Sequence, residues 1–161
     1  MTETSQTTHL APVTSSSSAL AVPGDPSDVV REFVAALQEG DIEICLSHLH
    51  EDVVFHPAPL PPVHGKAAVA RQLQLLRLLA RRISIQTHNI AANGGVVLTE
   101  RTHAIELGPI PVDFWTWGTF ELVDGKIALW RERFDIAELS FAAARGIAHA
   151  ATALQIESRR G

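Results

Sequence analysis

The sequence predicts an α+β fold, and three observations carry that reading. Apolar residues recur at helical spacing over the first part of the chain. They then alternate through a run of four segments, and the period changes only once. With 161 residues, 46% of them hydrophobic, there is material for one core and one domain.

Taken in order, residues 1–24 are rich in Ser and Thr, show no periodicity and lack the basic start of a secretory signal. They are expected to be a disordered tail ahead of a single domain, 25–161, located in the cytoplasm. Ser27 is the expected cap of a first helix that stacks Val30, Phe33, Val34 and Leu37 and stops at Gly40. A short second helix carries Ile42, Cys45, Leu46 and Leu49 at the same spacing. Residues 53–56 read as a short strand. The proline-rich run 57–62 reads as a loop, because proline lacks the N–H that a helix or central strand requires. A third helix over about 66–79 stacks Val69, Leu73 and Leu76. Four strands follow at 83–92, 96–107, 112–122 and 126–134, with Asp124-Gly125 turning the last hairpin. Asp135, with Glu138 three residues on, starts a terminal helix.

Composition excludes several classes. A net charge of −5 gives no general attraction to nucleic acid or anionic membrane. One cysteine, Cys45, forms neither an internal disulfide nor a cysteine zinc site and reads as a small core residue. Eight histidines show no metal-ligand spacing. His48 and His50, two apart on the expected second helix, do not share a face and read as surface residues. No metal or organic cofactor is expected. Apolar runs fall short of the ~20 residues of a membrane span.

The last hairpin can be given a register. A two-residue turn pairs 117 with 132, and a three-residue turn with Gly125 as a bulge pairs 116 with 132. Phe114, Phe120 and Leu122 on one strand, and Ala128, Trp130 and Phe134 on the next, make the even positions the inner face. That parity requires the bulged turn, which is the one adopted. It sends one carboxylate, Glu132, into an apolar interior, where it needs a partner. Arg101 and His103 lie two apart on the strand before and share a face, and Thr116 and Gly118 between are small. A carboxylate, a guanidinium and an imidazole thus meet in an apolar chamber. Pattern alone leaves two readings open, a structural ion pair or a functional site.

These residues resemble the limonene-1,2-epoxide hydrolase branch of the nuclear transport factor 2 superfamily. The likeness runs from about 26 to 146. It rests on Glu51-Asp52, on Pro59-Leu60-Pro61-Pro62 with His64-Gly65, on Thr99-Glu100-Arg101, and on Trp130-Arg131-Glu132-Arg133-Phe134-Asp135. The resemblance implies a cone-shaped fold, a curved mixed sheet wrapped around helices and enclosing a deep apolar pocket. In that family an Asp-Arg-Asp unit opens an epoxide in one step. By resemblance Glu132 holds the base position, Arg101 the bridge and His103 the acid position, where imidazolium is a competent acid near neutral pH. Phe55 and Pro57 stand where the family holds its water with Tyr and Asn, and their side chains offer water no hydrogen bond.

The expected function is a cofactor-free acid–base enzyme opening an epoxide in a terpenoid- or polyketide-like molecule, by water or by an internal nucleophile. The alternatives are a cyclase or isomerase acting without an epoxide, and a non-catalytic binder of apolar ligands. Phe55, Leu76, Phe114, Thr116, Trp130, Phe134 and Leu139 are the expected pocket lining. The same parity turns Trp115 and Trp117 outward beside Arg131 and Arg133, an apolar patch that predicts a homodimer. The alternative cover for that face is the terminal helix or the 1–24 tail of the same chain.

Overall fold

The computed structural model describes residues 24–135 and, beyond them, positions 137, 140, 141, 144, 145 and 147. The expected tail, 1–24, lies outside the described residues except for its last residue. The helix expected after Asp135 is described only at those six positions, all helical.

Helix α1 spans Pro26–Glu39. Its cap is Asp25, whose carboxylate accepts from the Ser27 N–H at 2.8 Å, and not Ser27 itself. Proline is favourable in the first turn, where its missing N–H has no intrahelical partner to lose, so the helix starts before Ser27. Gly40 ends it in the left-handed conformation at φ 73°. Helix α2 covers Ile42–Ser47 and is capped by Asp41. It is shorter than expected, because Leu49 already belongs to strand β1, Leu49–Ala58. His48 is the C-cap of α2, and His50 sits in β1.

β1 also runs through Pro57, where a loop was expected. Its outer neighbour β2, Val63–His64, pairs only at Val54 and Phe55, so β1 is an edge at Pro57 and the missing N–H is tolerated. Helix α3 spans Lys66–Leu79 as read from spacing. Strands β3 (Ala80–Asn93), β4 (Val96–Leu107), β5 (Ile110–Val123) and β6 (Lys126–Arg133) complete a curved six-stranded sheet. Its order is β2-β1-β6-β5-β4-β3, with β1 and β6 parallel.

The hairpin register departs from expectation. Asp124 and Gly125, at φ 50° and 71°, form a two-residue turn with Val123 opposite Lys126. The pairing then shifts between Glu121 and Leu122, leaving Ala128 as an extra residue on β6. Beyond it Gly118, not Thr116, stands opposite Glu132. The bulge restores the even-to-even parity from Trp130 onward, so the inner face there is as expected for a different reason, whereas next to the turn Ile127, not the expected Ala128, is buried in the core.

α1 packs on β3 and α3 on β1. Phe33 meets Trp130 edge-on at 4.9 Å and Phe120 at 6.1 Å. All three rings are buried, and each contributes roughly 1.5–3 kcal/mol of burial. Cys45 is buried in this core, and burial with the nearby Asp41 pushes its thiol up to about 12, so it is inert.

Candidate active site

Odd positions of β4 and even positions of β5 point inward, because Arg101 pairs with Thr116 and His103 with Phe114. The outcome is that Arg101, fully buried at 0% exposure, lies beside the buried Glu132. The Arg101 Nη2 donates to Glu132 Oε1, and the guanidinium lies 5.3 Å from the Phe120 ring centre. Gly118 makes this approach feasible. A Cβ there would collide with Nη2 and with Thr99 Oγ1.

Glu132 Oε1 takes a second bond from the Trp130 indole N–H. That indole is held in turn by Phe55, stacked on it at 4.0 Å. Spacing alone marked Trp130 as lining. Its role in holding the carboxylate follows from a bond along one strand, between residues two apart on the same face. Among the described residues, Glu132 Oε2 has no hydrogen-bond partner.

His103 is buried and stacks on Phe114 at 5.3 Å. Burial, reinforced by the Arg101 cation, pushes its pKa down to about 3. The imidazole is therefore neutral at pH 7. Burial and the neighbouring guanidinium thus favour the neutral ring over the expected imidazolium.

Glu132 and His103 share one cavity of about 210 Å³ between α3 and the sheet. Of the expected lining, Phe55, Leu76, Phe114, Thr116, Trp130 and Phe134 are on its wall. Leu139 lies outside the described residues. Glu132 and His103 are on the wall and Arg101 is not, so the guanidinium lies behind the carboxylate. Leu37, Pro57, Gln72, Leu73, Ile83 and Ile105 are on the wall as well, outside the expected lining. Ile83 and Ile105 follow from the inward parity of β3 and β4, while Gln72 sits on the polar flank of α3 and gives no apolar signal. A second cavity, between α1 and β3, has no carboxylate or imidazole in its lining.

On the outer face Trp117 is 52% exposed and Trp115 half-buried, stacked on His88 at 4.6 Å. Trp117 pairs directly with Arg133 across β5 and β6. No described helix is long and apolar enough to cross a membrane.

The model of the limonene-1,2-epoxide hydrolase catalytic domain matches residues 24–145. The chain is 37% identical over 120 residues to the epoxide hydrolase EphG of Mycobacterium tuberculosis, covering 73% of this chain and 78% of that one. A solved M. tuberculosis LEH-like epoxide hydrolase superposes with a TM-score of 0.74 at 32% identity, over 79% of this chain and 95% of that one. A structure described as a putative polyketide cyclase from Xanthomonas campestris shares the fold, with a TM-score of 0.64 at 22% identity over 73% and 96%. With that match to the catalytic domain over most of its length, the chain belongs to the limonene-1,2-epoxide hydrolase family and is an enzyme of epoxide-hydrolase type.

Proposed function

We propose that this cavity opens the epoxide ring of an apolar, terpenoid- or polyketide-like molecule, with Glu132 as the base, Arg101 behind it and His103 facing the epoxide oxygen. One observation carries the reading: the two oxygens of Glu132 are inequivalent. Oε1 is pinned by Arg101 and Trp130, whereas Oε2 has no partner among the described residues, on a carboxylate that lines the cavity. A carboxylate fixed in this way presents one oxygen to a proton without having to reorganise.

The step uses only these side chains. An O–H nucleophile attacks an epoxide carbon as its proton passes to Oε2. The C–O bond breaks, and negative charge grows on the departing oxygen. A neutral His103 N–H donates a hydrogen bond there, as other neutral imidazoles do to developing oxyanions. The proton on Glu132 then passes to the alkoxide, so none is gained or lost overall. The apolar wall accounts for an apolar substrate.

The nucleophile is water or a hydroxyl of the substrate itself. Phe55 and Pro57, opposite Trp130 and Glu132 on β1, offer no side-chain hydrogen bond, which favours the substrate's own hydroxyl and hence ring closure. The active unit is proposed to be a homodimer through the outer face that carries Trp115, Trp117, Arg131 and Arg133.

Incubation with cyclohexene oxide in isotope-labelled water tests the reading. Accelerated opening supports it, with one labelled oxygen per diol where water attacks. Consumption of cyclohexene oxide and of an epoxy alcohol at no more than the buffer rate would contradict it.

A further inference from the structure

Three buried polar atoms on the cavity wall have no partner among the described residues: Glu132 Oε2, His103 Nε2 and Thr116 Oγ1. The first two have a part in the proposed reaction. The third does not, and Thr116 is only 1% exposed. Valine has nearly the same shape and would fill this place without stranding a hydroxyl, so the hydroxyl calls for an explanation.

Register gives its place. On β5, Phe114 stands opposite His103 and Gly118 opposite Glu132. Thr116 lies between them on the same inward face. On the other side of the carboxylate, β1 presents Phe55 and Pro57, which have no side-chain hydrogen-bonding group. Apart from Glu132 and His103, the polar side chains on this wall among the described residues are Thr116 of β5 and Gln72 of α3, and Thr116 is the one whose strand runs between the carboxylate and the imidazole.

We propose that the Thr116 hydroxyl seats the attacking O–H group, held between Glu132 and His103. Its hydrogen donates to the nucleophilic oxygen or, where water is the nucleophile, its oxygen accepts the second water proton, so that one proton of the nucleophile stays aimed at Oε2. The new C–O bond forms as the epoxide C–O bond breaks, and the proton that Glu132 takes returns to the alkoxide. This deepens the epoxide-opening reading and rests on it. The shared chemistry is a hydroxyl, supplied either by water or by an alcohol group of the substrate.

The test compares Thr116→Val and Thr116→Ser with the unmodified protein. Cyclohexene oxide in isotope-labelled water probes attack by water. A bishomoallylic epoxy alcohol, which closes to a tetrahydrofuran, probes attack by an internal hydroxyl. Equilibrium binding of trans-cyclohexanediol is measured by calorimetry, independently of turnover. The valine variant is expected to lose about tenfold in kcat/KM and in diol affinity, the worth of roughly one hydrogen bond. The serine variant should stay near the unmodified protein, and the melting temperature of the valine variant should not fall. Whichever epoxide shows the larger loss identifies the source of the hydroxyl. Unchanged turnover and unchanged diol binding in Thr116→Val would overturn the seat. If the unmodified protein opens neither epoxide yet the valine variant binds diol more weakly, the seat stands and the epoxide reading falls.

Discussion

The guanidinium of Arg101 occupies the volume that a side chain on Gly118 would fill. Gly118 also faces Glu132 across β5 and β6, so one missing Cβ opens the diagonal from base to cation. Gly118→Ala is expected to displace the guanidinium, lower the melting temperature by the equivalent of about 1–3 kcal/mol and depress turnover. Thermal unfolding beside steady-state rates checks this. An alanine protein with unchanged stability and rate would show that the space is not needed.

Removing one member of the buried pair should cost more than removing both. Arg101→Leu leaves the Glu132 charge stranded, at about 3–5 kcal/mol. Arg101→Leu with Glu132→Leu is expected to recover most of that stability while remaining inactive. A double-mutant cycle in denaturant measures the coupling. Simple additivity would mean that the two side chains do not depend on each other.

The fold and the inner face were largely legible from the residues, because they depend on periodicity. Burial alternates along β4 from Val96 to His103, and α3 stacks Val69 and Leu73 one turn apart. The hairpin register was not legible. Ala128 carries no mark of a bulge, and a shift of two residues preserves the alternation on which the reading relied. Pro57 looks like a strand breaker in the sequence because edge position is a property of the sheet, not of the residue. Arg101, His103 and Glu132 were found as a cluster from parity. The state of His103 depends on burial and on its distance from Arg101, which spacing does not encode.

That state has a consequence for stability. Folding lowers the His103 pKa from the usual 6.5 to about 3, so between those values the unfolded chain binds the extra proton. Its contribution to stability is complete above about pH 6.5 and is lost as pH falls toward 3, by roughly 1.4 kcal/mol per pH unit within the window. His103→Gln should remove this part of the acid sensitivity. Proton NMR is expected to show the His103 ring free of titration down to about pH 4. A ring that titrates near 6.5 would restore the imidazolium acid.

The outer face predicts assembly. Trp117→Ala should shift the proposed homodimer toward monomer in sedimentation, because it removes the exposed indole from the centre of the interface. A monomeric unmodified protein at micromolar concentration would remove the interface.

The central claim is that Glu132 takes the proton, and Glu132→Gln tests it most directly. Glutamine keeps the shape of the side chain and its bond from Trp130 but is no base. The account predicts a folded variant that still binds trans-cyclohexanediol and whose kcat for epoxide opening falls on the order of 10²–10⁴-fold. A Glu132→Gln protein that opens the epoxide at the unmodified rate would contradict the mechanism.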